Sequence, residues 1–99
     1  MEAEVMYERA DNIINAICKA GNVSWVELMT APKSLKINIL RGLACYLAWE
    51  MNIHARIMAK FIGRSRSNII NMGQKYRGFV QSKDKSTMSY YNEIKKYLI

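Results

Sequence analysis

Ninety-nine residues, half of them hydrophobic, make one domain with a modest core and exclude a disordered chain. A single proline and five glycines are too few for the many turns of an all-β fold, which leaves a helical bundle. The net charge of +7 is concentrated in the second half: residues 51–99 hold ten lysines and arginines against Asp84 and Glu93, whereas residues 1–50 hold five against six acids.

The first element in chain order is a helix over Ala3–Ala20, with Met6, Ala10, Ile13, Ile14 and Ile17 at helical spacing and a stop at Gly21-Asn22. Ser24, followed three residues later by Glu27, spells a capping box for a short helix that Trp25 and Leu28 would tuck onto the core. Pro32 ends it and Ser34 caps a long helix over Leu35–Met51, whose stripe of Leu35, Ile39, Leu40, Leu43, Ala44, Leu47 and Met51 is broad enough for a central place. Asn52 breaks the chain before a shorter helix, His54–Ile62, that stops at Gly63. A new helix begins with Ser65 or Ser67 as its cap and turns Ile69, Ile70, Gly73, Tyr76 and Val80 inward. "SKDKST" reads as a flexible loop, and a closing helix opens at Ser86 with Met88, Tyr91, Ile94 and Leu98 inward. The expected fold is all-α, a compact bundle of about six helices in one domain over 1–99.

Short helix, glycine, brief polar turn and second helix is the plan of a helix-turn-helix, here at about 53–80. The pattern alone is weak, since any α-hairpin with a glycine satisfies it. The chemistry strengthens it. Between Met51 and Lys83 there are seven bases (Arg56, Lys60, Arg64, Arg66, Lys75, Arg77, Lys83) and no acid, a one-signed field that attracts nucleic acid first and anionic membrane second. A basic surface kept for solubility is the bland alternative. "RSRSN" puts Arg64, Ser65, Arg66, Ser67 and Asn68 where a recognition helix meets base edges and phosphates. Arginine can grip guanine and asparagine can grip adenine in a bidentate way, and the helix start offers N–H groups to phosphate. Asn71 and Lys75 follow on the outward face, and Lys60, Arg64, Lys75 and Arg77 are the expected phosphate contacts. A solvated cap cluster is the competing reading of Arg66, Ser67 and Asn68.

Other chemistries find little support. One histidine, His54, and two scattered cysteines build neither a catalytic triad nor a metal site, so no enzyme, metal or cofactor is expected. Cys18 and Cys45 fall at core-like positions of helices and read as buried thiols of a reducing compartment. No secretory segment and no apolar run of spanning length occur, so a cytoplasmic, nucleoid-associated protein with no membrane partner is expected. Trp49 lies outside the main stripe of its helix, either packing on the last helix or marking a partner surface.

"LRGLACYLAWEM…FIGRSRSNIINMGQKY…YYNEIKKYL" resembles the C-terminal duplex-binding domain of bacterial replication initiators of the DnaA type, and the likeness covers nearly the whole chain. "IINAICKAGNVSWVELMTAPKS" is similar to that domain's opening helix and short turn, "LRGLACYLAWEM" to its long helix with an A-x-Y-L-A-x-E run, and Phe61, Gly63 and Arg64 to its F-G-G-R turn. The resemblance implies a Trp-repressor-like domain that binds a duplex box, with Arg41 reaching the minor groove. Left to the residues alone, Arg41 is either such a ligand or a first-turn base of its helix. The family's reading residues, Asp-His-Thr-Thr, are here Ser65, Arg66, Ser67 and Asn68, which removes an acid, adds a cation and implies a different box. GxxxxGK[ST] is absent, so a stand-alone divergent relative without an ATPase is expected. Double-stranded DNA is the expected partner, in replication or transcription control. The alternative is a protein-interaction module that keeps the fold, has lost duplex reading and docks another replication protein through Trp49, Trp25 or the last helix's tyrosines.

Overall fold

Six helices account for the regular structure of residues 3–98, the part of the chain that this computed structural model describes: α1 (Ala3–Gly21), α2 (Trp25–Thr30), α3 (Leu35–Glu50), α4 (Ala55–Ile62), α5 (Arg66–Gln81) and α6 (Lys85–Tyr97). No strand occurs among the described residues. The helix starts follow the side chains that can accept an N-terminal N–H. Ser24 and Glu27 form the full capping box of α2, each at 3.0 Å from the other's backbone N–H. Ser34 Oγ accepts from the Ile37 N–H at 3.1 Å and opens α3.

Four helices end in the same way. A residue one or two positions past each takes the left-handed conformation: Asn22 (φ 52°), Asn52 (57°), Gly63 (73°) and Lys83 (57°). The N–H of the next residue then reaches back five positions, from Val23 to the Cys18 carbonyl (3.1 Å), Ile53 to Ala48 (2.8 Å), Arg64 to Ala59 (3.3 Å) and Asp84 to Phe79 (2.9 Å). This Schellman closure satisfies carbonyls that the helix end would otherwise leave unpaired. It also corrects the reading of "SKDKST" as a flexible loop. Lys83 turns the chain, and Asp84 caps α6 by accepting from the Thr87 N–H (3.0 Å) and hydroxyl (2.8 Å), bonds that hold its carboxyl below the ordinary range. Helix α6 therefore opens at Lys85.

Helix α3 touches all five other helices, and α5 lies along it most extensively. From Ile39 to Ala48 every residue of α3 is buried, because neighbours cover all its sides. Ile13 and Ile17 of α1, Leu28 of α2, Leu40 and Leu43 of α3, Met58 and Ile62 of α4 and Ile94 of α6 meet in one continuous core. Two glycines set the spacing of α3 and α5. A side chain on Gly42 would fall inside the Tyr76 ring, and a Cβ on Gly73 would stand 3.4 Å from the Cys45 carbonyl oxygen. Burial pushes the Cys45 thiol up to about 12, and burial also raises Cys18, which is only half-buried; both are free thiols.

Four residues expected to face inward are outside it: Trp25 is 47% exposed, Met88 of α6 yields the inward place to Thr87, and Leu35 and Ile70 are exposed for separate reasons. Leu35, at 70% exposed, is the first residue of α3 and precedes the stretch that its neighbours cover. Ile70, at 42%, sits about 100° around α5 from Ile69, which takes the place facing the core. Among the described residues no helix is long and apolar enough to cross a membrane.

Lys83 holds a left-handed turn that a glycine adopts without its Cβ penalty, so Lys83→Gly is expected to raise the unfolding free energy in urea by about 0.5–1 kcal/mol. An unchanged or lowered midpoint would show that the turn does not constrain this residue.

Candidate nucleic-acid interface

Three residues, Gly63, Arg64 and Ser65, join α4 to α5. Gly63 supplies the left-handed step that ends α4, and of the two candidate serines it is Ser65 that caps α5, its Oγ accepting from the Asn68 N–H at 3.2 Å. The cap leaves the side chains of Arg66, Ser67 and Asn68 exposed in the first turn, with no acid among them. Asn71 and Lys75 continue this exposed surface, while Ile69, Gly73 and Tyr76 face α3.

The acids of the second half do not neutralise it. Asp84 is engaged with Thr87, and Glu93 pairs with Lys96 at 2.9 Å. The first turn of α5 thus carries a cation, hydroxyls, an amide and the positive end of the helix dipole on one open surface, a combination suited to phosphate and base edges.

One flank of α5 borders a groove of about 1000 Å³ between it, the end of α3 and the residues leading into α4. Arg56, Arg66, Ile70 and Arg77 line it, with Trp49 and Glu50 on the α3 side. Trp49 is 55% exposed; its ring stacks on Tyr46 (6.3 Å between centroids) and carries the Arg77 guanidinium 4.6 Å from its centre, so its partner is α5 rather than the last helix. A cation held over a ring in this way is favoured by the ring's charge distribution, and the five N–H donors of an arginine can still serve a second partner. Glu50 is the one carboxylate lining the groove; burial first and the nearby Glu50 second push Tyr46 up to about 12.

The remaining expected contacts lie elsewhere. Arg41 is 3% exposed and two turns into α3, which corrects its placement in a DNA minor groove. Its Nε donates to the Leu28 carbonyl at 2.6 Å and a terminal nitrogen to the Ala31 carbonyl at 2.8 Å. Arg64 donates to the Met29 carbonyl at 3.3 Å and to its neighbour Gly63 at 3.2 Å. Two arginines therefore close the C-terminal end of α2, where orphan carbonyls and the negative end of the dipole favour cations. Burial, and then the nearby Arg64 charge, lower the Arg41 pKa. Lys60 is exposed but faces α1, with Nζ 3.1 Å from the Tyr7 hydroxyl. Trp25 remains half-exposed, packed on Phe61 at 5.7 Å with its indole N–H donating to the Phe61 carbonyl at 2.5 Å.

Of the ten expected residues, Arg66, Ser67, Asn68, Asn71, Lys75 and Arg77 lie on α5 with Ser65 as its cap, Arg64 and Lys60 are tethered at its margin, and Arg41 is interior. Sequence reasoning did not place Arg56 at the site, although it falls in the acid-free run and in the first turn of α4. Nor did it find the Trp49–Arg77 contact, which joins residues 28 apart on different helices. Among the described residues no group of His, Cys, Asp and Glu could hold a metal ion.

No protein-family model, curated protein or solved structure matches the chain. Geometry and charge therefore carry the functional argument.

Arg41→Ala leaves the Leu28 and Ala31 carbonyls without their charged donor and opens space in the core, and is expected to lower the unfolding free energy by about 2–4 kcal/mol. Equilibrium denaturation measures it; wild-type stability in this variant would contradict the assigned structural role.

Proposed function

We propose that the chain binds double-stranded DNA with a sequence preference and catalyses no reaction. Helix α5 enters the major groove by its amino end. Arg66, Ser67, Asn68 and Asn71 read base edges, Lys75, Arg77 and Arg56 meet phosphates, and Arg64 and Lys60 stand at the edge of the footprint. The observation that carries this reading is the first turn of α5: exposed, free of acid, and not neutralised by the only two carboxylates of the second half. The short connection from α4 supports it, since a helix-turn-helix presents its second helix in this way.

The likeness to the duplex-binding domain of DnaA-type initiators points the same way and suggests a role in replication or transcription control. Burial of Arg41 withdraws the minor-groove arm that the likeness implied, so the reading rests on the major groove alone.

Selection from a random duplex pool tests the proposal. A recovered consensus supports it, and recovery of a random pool unchanged contradicts it. With on the order of five phosphates engaged, affinity for the selected duplex should fall about 500-fold between 50 and 200 mM salt. Asn68→Ala should flatten preference at one base pair by about 1–3 kcal/mol, whereas Lys75→Ala should weaken all duplexes alike.

A further inference from the structure

The groove beside α5 has a repeating order of which the proposed DNA contacts use the arginines and leave the apolar middle unused. Arg66, Ile70, Gly73 and Arg77 all line it, at positions i, i+4, i+7 and i+11 of one helix. At 3.6 residues per turn these four fall in one narrow stripe, about 16 Å from end to end. The stripe is cationic at both ends and apolar in the middle, and Gly73 together with Cys45 and Ala48 of α3 makes the middle deep. Ile70 is 42% exposed over that hollow and lines the groove between the two arginines, so the apolar middle of the stripe is open to a partner. At one rim Trp49 is half-exposed and holds the Arg77 guanidinium 4.6 Å from its ring centre, at the groove's edge, where a carboxylate could pair with it. Arg56 adds a third cation to the lining, so three arginines outnumber Glu50, the single lining acid.

Spacing of 4, 3 and 4 residues is the spacing by which two helices pack side by side, knobs of one entering holes of the other. The order reads the same in both directions, so a helix of either polarity can match it. Duplex phosphates would meet the arginines but leave Ile70 and the hollow uncovered. A second copy of the chain would bring +7 against +7 and must overcome that repulsion. An acidic partner gains from the same field.

We propose that this groove is a docking site for an acidic amphipathic helix of a partner protein, with carboxylates spaced eleven residues apart on Arg66 and Arg77 and two apolar side chains between them over Ile70 and the Gly73 hollow. The docking shares Arg66, Arg77 and Arg56 with the proposed DNA contacts but does not rest on that reading, and it is tested without any duplex.

The probe is a fluorescein-labelled, helix-stabilised synthetic peptide carrying Glu, Leu, Leu and Glu at positions 1, 5, 8 and 12, read by anisotropy against the full chain. Saturable binding is expected, weakened at least tenfold by Ile70→Lys and at least tenfold by moving the leucines off the stripe at constant composition. In the double variant Arg66→Glu and Arg77→Glu, the Glu peptide should lose binding and a peptide with Lys at positions 1 and 12 should gain it. These side chains are at the surface, and far-ultraviolet circular dichroism with a urea midpoint confirms that each variant is folded. Equal binding of the two leucine arrangements would reduce the effect to general charge attraction and overturn the proposal. So would failure of the charge swap. Concentration-dependent self-association that Ile70→Lys abolishes would assign the groove to a second copy instead.

Discussion

The close crossing of α3 and α5 is the constraint on which the rest of the molecule depends. A helix as fully enclosed as α3 can receive a second long helix only where side chains are absent, and Gly42 and Gly73 provide the two places, one on each helix. Tyr76 lies across Gly42 and the backbone of α5 lies near the Cys45 carbonyl. Interiors this tightly packed do not tolerate an added carbon without displacement, so the rotation of α5 about its axis is fixed. With Ile69, Gly73 and Tyr76 held inward, Ser67, Asn71 and Lys75 must face out and Arg66 and Arg77 must border the groove. The orientation of the polar face is thus a consequence of packing on the opposite side.

A second constraint divides the cations by purpose. Helix α2 has only six residues, too short to be stable by itself, and its carbonyl end is held by Arg41 and Arg64 while Trp25 ties it to the end of α4. Those arginines hold the fold together. Arg56, Arg66, Lys75 and Arg77 have no carboxylate partner among the ion pairs of the described residues and supply the field that a polyanion or an acidic helix would meet. Because the exposed face and the groove share α5, whatever occupies one alters the charge seen by the other.

Much of this architecture was legible in the residues. The capping box at Ser24 and Glu27, the cap at Ser34, the breaks at Asn22, Asn52 and Gly63 and the central place of α3 all follow from local chemistry that acts within a few residues. What escaped was of two kinds. Lys83 performs the same left-handed turn as the asparagines and the glycine, but lysine gives no compositional sign of it, so a tight Schellman closure looked like a loose polar loop. Arg41 was misplaced because its partners are carbonyls 10 and 13 residues away, brought near only by tertiary packing; spacing shows a base on a helix but not what it meets. Ile70 failed for a different reason: Ile13 and Ile14 of α1 are both buried, but on α5 only the side of Ile69 is covered, and adjacency in sequence does not show which side that is. Ser65 and the six α5 residues of the candidate interface were recoverable because they adjoin a recognisable turn, whereas Arg56 and the Trp49–Arg77 contact arise between separate helices.

Amide chemical-shift mapping with a duplex recovered by selection tests the central claim, that α5 is held by its inner face so that its amino end and outer face meet DNA. The largest changes are expected at the backbone of residues 65–75, with Arg56 joining them and the acidic outer face of α1 at Glu4, Glu8 and Asp11 unmoved. Changes centred on α1 or α6, or a spectrum indifferent to the duplex at low salt, would contradict it.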